Sequence, residues 1–249
     1  MDLISNSEIW RFPRFFTDDN MTVSDADLRH AKQVLRIKSG DKVILCDGNG
    51  TDYICEYSAE SDRFEVIKSM PNQAEPSVQI RLYQCLPKSD KMDFIVQKAV
   101  ELGVSEIVPI VSKRCVSRPK NADKKTERWS RIAYEAAKQC GRGRVPKVFE
   151  ILSFEEAVEG LNAEDLNIIF YECGGERLND ILLRRKSLDS LTAKSIHCII
   201  GSEGGFEHEE IEFAEKHGAL RATLGKRILR VDTASIAALS VIVNYFENE

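Results

Sequence analysis

The sequence predicts an α/β protein in two modules, a small β-rich unit over residues 1–72 and a parallel α/β sheet over residues 73–249. Three observations predict it. Two alternating apolar runs flank Asp47-Gly48-Asn49-Gly50, a strong hairpin signal. Residues 70–79 place two prolines among polar side chains, the composition of a linker. Beyond them, apolar runs alternate with helical stripes, as expected of parallel strands joined by crossover helices.

Each element follows from its pattern. Residues 25–36 read as a short helix with Leu28, Ala31 and Leu35 on one stripe. The runs at 43–46 and 51–57 form the hairpin and residues 63–70 add a strand, so a small barrel-like module fits. In the second module, strands are predicted at 80–86, 106–112, 167–173, 195–201 and 219–225. Helices are predicted at 93–101, through 129–140, in a polar stretch after residue 175, from Phe206, and at the C-terminus. Gly103 stands where a left-handed helix cap is expected. The last helix is expected to start at Asp232 or Thr233, both good N-caps, and to bury Ile236, Leu239 and Val243.

Hydrophobic residues at 43% with 30% charged residues suit a globular chain. No apolar run reaches the roughly 18 residues of a membrane span, and the acids near the N-terminus argue against a secretory signal. Seven scattered cysteines, no CxxC pair and four histidines predict reduced thiols in a cytoplasmic protein without a metal centre. The net charge of −5 is unevenly spread. Residues 113–147 hold twelve Lys or Arg against three acids. Such a segment is either a solvated face or a surface that meets phosphates.

Ligands of open α/β sheets bind beyond the carboxyl ends of the strands. Three such ends are unusual: Tyr171 to Gly175, Gly201 to Gly205, and Leu224 to Arg230. Neither GxGxxG after the first strand nor GxxxxGK[ST] occurs, so neither a Rossmann site nor a P-loop is supported. Glu203, Glu207, Glu209 and Glu210 crowd the second turn with negative charge and would repel a phosphate. The helix acids complement the helix dipole, but Glu203 sits inside the turn. A neutral or cationic ligand with hydroxyl and amine donors fits better, and S-adenosylmethionine is such a ligand. Arg230 either stabilises an anion on a bound base or pairs with Asp232. Cys173 and Cys198 read as small apolar fillers.

These three stretches, with Arg14-Phe15-Phe16, His30 to Arg36 and Lys91 to Val104, resemble the bacterial 16S ribosomal RNA uridine methyltransferases of the knotted SPOUT class. The resemblance runs from Arg11 to about Tyr245. It implies an N-terminal PUA-like RNA-binding β-barrel, a trefoil-knotted α/β methyltransferase domain and a homodimer. It implies S-adenosylmethionine as cofactor, held around Glu172, Gly201, Glu203, Gly204, Gly205, Leu224, Gly225, Ile228 and Leu229. It implies a catalytic role for Arg230 and, as the activity, methylation of the uracil ring nitrogen between the two carbonyls. Two residues depart from the family pattern: Ser202 replaces a proline, and Asp232 replaces a glutamate one methylene longer. A helper role for the base is open to Asp232, Glu203 or water.

For RNA, the phosphate-contact candidates are Arg14, Arg29, Arg36, Arg114, Arg118, Arg142 and Arg144, with the basic stretch 141–144 expected to be flexible. His30 either contacts RNA or packs, and Trp129 and Tyr134 are expected to pack their helix. Two rival functions stand beside this one: methylation of another RNA, and non-catalytic RNA binding in ribosome assembly.

Overall fold

The computed structural model describes residues 11–18, 20–118, 121–187 and 195–247. The chain divides into two units, residues 1–75 with 137–145, and residues 76–136 with 146–249.

The first unit is a four-stranded sheet in the order β1 (Arg14–Phe16), β2 (Lys42–Cys46), β3 (Thr51–Ser58), β4 (Arg63–Pro71). β1 runs parallel to β2, and the other pairs are antiparallel. The hairpin forms because Asp47 accepts from the amides of Asn49 (2.8 Å) and Thr51 (2.9 Å), while Gly48 and Gly50 take φ of +72° and +104°. Helix α1 (Asp25–Arg29), capped by Ser24, runs on into a π-helical segment, His30–Leu35. Leu28 and Ala31 join Phe15, Val43 and Leu45 in the core. Leu35 does not: it is 42% exposed, because the wider π turn carries it off the stripe that α spacing would give.

Two ion pairs and an asparagine bridge fasten residues 137–145 within this unit. Arg14 grips Asp52 at 2.5 and 2.7 Å, and Asn72 donates both to Asp52 (2.9 Å) and to the Gly141 carbonyl (3.0 Å). Lys138 meets Asp27 at 2.6 Å. Arg142 meets Glu75 at 2.7 Å, and Glu75 also accepts from the amides of Gly143 (2.9 Å) and Arg144 (3.1 Å). The basic stretch 141–144 is thus pinned, contrary to the flexibility expected of it. A charge run says nothing about partners that lie some 70 residues away.

The second unit is a parallel sheet in the order β10–β12–β9–β11–β5–β6–β7, with β8 also on β6. Its strands are β5 (Gln79–Cys85), β6 (Glu106–Val111), β7 (Lys147–Val148), β8 (Leu152–Ser153), β9 (Leu166–Phe170), β10 (Glu176–Arg177), β11 (Ser195–Ile200) and β12 (Leu220–Thr223). Its helices are α2 (Lys91–Glu101), α3 (Ala122–Cys140), α4 (Phe154–Glu159), α5 (Leu178–Ser187), α6 (His208–Lys216) and α7 (Val231–Glu247). One face of the sheet packs Tyr83, Cys85, Ile110, Ile169 and Ile199 against Phe154, Phe206 and Ile211 from the α4 and α6 side. α7 packs against α2 and β11.

Gly103 takes φ +89° just past α2, as the cap pattern predicts. α7 begins at Val231, one residue before the expected caps, and the Arg230 carbonyl accepts its first amide bond from Ala234 at 2.8 Å. Its buried stripe is Ser235, Ala238, Leu239, Ile242 and Val243. Ile236 is half-buried, because the stripe is set by Ser235 one position earlier. Trp129 is buried and donates to Asp93 at 3.1 Å. All seven thiols are free, and Cys198 is a buried filler, whereas Cys173 is exposed and fills nothing. Among the described residues no helix is long and apolar enough to cross a membrane, and no group of His, Cys, Asp and Glu could hold a metal ion.

In-register positions place Asn167, His197, Arg81 and Glu106 in a row across β9, β11, β5 and β6. Burial, and after it the Arg81 charge, hold His197 at a pKa of about 4 against the opposing carboxylates of Asp165 and Glu106. The unfolded chain therefore takes up this proton near pH 6.5 and the native one only near 4, so stability falls as pH drops through that window. Urea unfolding from pH 7 to 4 should show a loss on the order of 2–3 kcal/mol that is absent in His197→Gln. Parallel pH profiles for the two proteins would refute this.

Candidate functional site

β12, β9 and β11 are neighbours, so the loops leaving their carboxyl ends converge. Together they line a cleft of about 430 Å³. Glu172, Gly201, Glu203, Gly205, Leu224, Gly225, Ile228, Leu229 and Arg230 all border it. Phe170, Tyr171, Ser202, Thr223, Arg227, Val231 and Ala234 do so as well. Of this second set, Tyr171, Ser202 and Arg227 lie in the three unusual strand ends, whereas the residue types of Phe170, Thr223, Val231 and Ala234 mark nothing and only their place in the fold does.

The central turn is tight. Gly205 takes φ +66° and its amide bonds the Ser202 carbonyl at 3.0 Å. A Cβ at Gly205 would meet only the end of the exposed Glu172 side chain, which can swing aside, so glycine is favoured here by its φ. Gly204 does not border the cleft. It faces the other way, where an added Cβ would lie 2.9 Å from the Cβ of Arg114. Arg114 holds this outer side: it donates to both oxygens of Glu207 (2.8 and 2.9 Å) and to the Gly204 carbonyl (3.1 Å).

The two carboxylates of the cleft differ in state. Glu203 accepts from the Lys91 ammonium at 2.7 Å and from the Lys88 amide at 3.1 Å. Partial burial pushes its pKa up, but these bonds win and hold it below the ordinary glutamate value. Its charge is therefore spent on Lys91. Glu172 is exposed, and no ion pair engages it among the described residues. Of the two, Glu172 is thus the carboxylate without an ion pair, although the Arg114 charge acts on it, and Glu203 borders the cleft as well.

Behind the turn, Ser202 is buried and its hydroxyl faces Cys115. Cys115 lies 3.3 Å from the Ser112 hydroxyl and has its pKa lowered to about 6, first by a hydrogen bond from Cys85 and against the effect of burial. Serine in place of proline thus trades a fixed φ for a buried polar contact.

Arg230 is exposed on the cleft wall, and no carboxylate pairs with its side chain among the described residues. The salt bridge to Asp232 is not formed. Asp232 does not border the cleft, and its Oδ1 is buried without a partner.

The candidate RNA contacts separate by burial. Arg29, His30 and Arg36 are exposed around the π-helical segment. Arg118 is exposed beside a second cleft of about 420 Å³ that Lys113 and Ser153 also line. Arg144 is exposed and reaches only the Asn49 carbonyl at 3.4 Å. Arg14 and Arg142, with side chains 8% and 3% exposed, cannot reach a phosphate without breaking a buried ion pair, a loss of about 3–5 kcal/mol. Arg114 is already committed to Glu207.

Comparison with known proteins agrees with this geometry. A family model described as an RNA methyltransferase domain matches residues 74–243, and one described as an RNA methyltransferase PUA domain matches residues 23–68. The chain is 32% identical to the ribosomal RNA small subunit methyltransferase E of Bacillus subtilis over 89% of its own length and 88% of that protein. It is 31% identical to the Neisseria gonorrhoeae protein of the same name, crystallised with S-adenosyl methionine, at TM-score 0.83 over 94% and 98% of the two chains. A methyltransferase from Legionella pneumophila, solved with bound S-adenosylmethionine, is 27% identical at TM-score 0.80 over 93% and 97%.

Proposed function

The chain belongs to the ribosomal RNA small subunit methyltransferase E family, and from that premise we propose that it methylates the N(3) ring nitrogen of a uridine in 16S ribosomal RNA. S-adenosylmethionine is the cofactor, and when bound it supplies an activated methyl group.

The cleft fits that cofactor on its own terms. Its volume of about 430 Å³ lies within the roughly 300–1,000 Å³ of small-ligand sites. Its walls include Gly201, Ser202, Glu203 and Gly205 from one turn and Leu224, Gly225 and Arg227 to Leu229 from another, whose backbone groups can read an adenine edge. The unpaired Glu172 carboxylate can accept from hydroxyl or amine groups and favours a cation nearby.

Arg230 carries the reading. The uracil nitrogen is protonated at neutral pH and is a poor nucleophile until the proton leaves. A guanidinium that borders the cleft without a carboxylate partner stabilises the uracil anion, whose charge lies on its carbonyl oxygens, so that a base as weak as water can take the ring proton. Glu203 is poorly suited to be that base, since its bonds to the Lys91 ammonium and the Lys88 amide lower its pKa and occupy its lone pairs. Fixing the reactants in line supplies roughly 7–11 kcal/mol of the barrier.

RNA is drawn to the residue 1–72 module by Arg29, His30 and Arg36, and to the residue 73–249 domain by Arg118, with Arg144 as a further contact. We assign the protein to the cytoplasm, where its substrate is made. The C-terminal domain carries the trefoil knot of the SPOUT class and pairs as a homodimer. The exposed Leu183 and Ile228, 57% and 83% accessible, support a partner surface.

Three outcomes are expected. Mapping of modified nucleotides in 16S ribosomal RNA, with and without the gene, should show one uridine losing its N(3) methyl; Arg230→Ala should bind RNA normally and methylate it at least 100-fold more slowly. Near-normal turnover would remove Arg230 from catalysis. Salt titrations of RNA binding should show the slope of log K on log salt fall by about 0.7–0.9 per residue in Arg29→Gln and Arg36→Gln; an unchanged slope would remove that face from the interface. Sedimentation should return about twice the chain mass of 28.2 kDa, and a monomer at micromolar concentration would exclude the dimer.

A further inference from the structure

Gln84 lies at the end of β5 with its side chain 0% exposed. It shares a face with Ile80 and Leu82, both buried apolar residues, and so stands as an amide in an apolar layer. Burying an amide carries a desolvation cost that only hydrogen bonds offset. Gln84 makes three. Its Nε2 donates to the Cys85 carbonyl (3.0 Å) and toward the Gly201 carbonyl (3.4 Å), and its Oε1 accepts from the Ser235 hydroxyl at 2.6 Å.

The two far partners belong to the two halves of the site. Gly201 opens the cofactor turn. Ser235, 1% exposed, sits one turn into α7, whose first amide bond is to the Arg230 carbonyl. Ser235 has a second acceptor, the Val231 carbonyl at 2.9 Å, but a hydroxyl has one proton to give. Directed at Gln84, that proton ties the helix start to β5; directed at Val231, it bonds the helix only to itself.

We propose that Gln84 is a positioning residue for methyl transfer, its amide clasping the Gly201 turn to Ser235 so that Arg230 faces the cofactor cleft in one fixed geometry. The proposal rests on the methyltransferase reading of the cleft. An apolar pair would hold α7 on the sheet equally well, but without a directional bond it would let the helix start slide. A misplacement of about 1 Å at a reacting centre lowers the rate about 100-fold.

The test separates positioning from stability. Ser235→Ala leaves Oε1 of Gln84 buried and unpaired, and should destabilise the fold. The double variant Gln84→Met/Ser235→Ala removes both polar partners and should restore the urea midpoint toward wild type. In that stable double variant, kcat should still fall about 10- to 100-fold, while the calorimetric Kd for S-adenosylmethionine changes by less than about threefold. The Ala234 amide should exchange with solvent faster than in wild type. A stable double variant with kcat within twofold and unaltered Ala234 exchange would overturn the proposal. If the double variant does not fold, Ser235→Ala is read instead, per folded molecule, and wild-type kcat there overturns it equally. A wild-type protein that methylates no RNA would remove the functional reading, whereas Ala234 exchange would still decide whether the clasp fixes the helix start.

Discussion

Close approach of backbone at the Gly201–Gly205 turn is the constraint on which the site depends. The turn is pressed from two sides. Arg114 packs on Gly204 from outside, and the Glu172 carboxylate covers Gly205 from the cleft side. Gly204 has no room for a Cβ, so the loop after β6 meets the turn at atomic contact. The sheet order makes this possible. β9 lies between β12 and β11, so three loops leave adjacent strand ends and close round one volume.

Charge in the site is arranged by pairing more than by composition. Four glutamates stand in and just after the turn, but most are engaged. Glu203 is held by Lys91, Glu207 by Arg114, Glu209 by Lys113 at 2.9 Å, and Glu210 accepts from the Lys113 amide at 2.8 Å. These pairs fasten α6 and the turn to the start of α2 and the loop after β6. Among the described residues, what remains at the cleft without an ion pair is the Glu172 carboxylate and the guanidiniums of Arg227 and Arg230.

The first unit applies the same chemistry to a different end. Lys138–Asp27 and Arg142–Glu75 tie residues 137–145 to α1 and to the segment after β4, and Arg14–Asp52 joins β1 to β3. Such pairs are weak contributors to net stability but strong constraints on register, since breaking one strands a charge. They also set apart the interior Arg14 and Arg142 from the exposed Arg29, His30, Arg36 and Arg144.

The sequence by itself determined the α/β class, the hairpin at Asp47–Gly50, the left-handed cap at Gly103, the three loops of the cleft and Arg230 as one of its cations. Each of these follows from local rules: side-chain period, glycine φ, and the exit of strands into glycine-rich turns. Only the tertiary structure decided that Glu172 and not Glu203 is the carboxylate without an ion pair, that Gly204 faces Arg114, and that Arg14 and Arg142 are interior. It also decided that Leu35 turns out, that Ile236 yields to Ser235, and that Gln84 joins β5 to α7. In most of these the deciding partner lies far along the chain, as Glu75 does for Arg142 and Ser235 for Gln84. Burial and pairing are properties of a neighbourhood in space, and a linear pattern of residue types does not contain that neighbourhood until the sheet order is known.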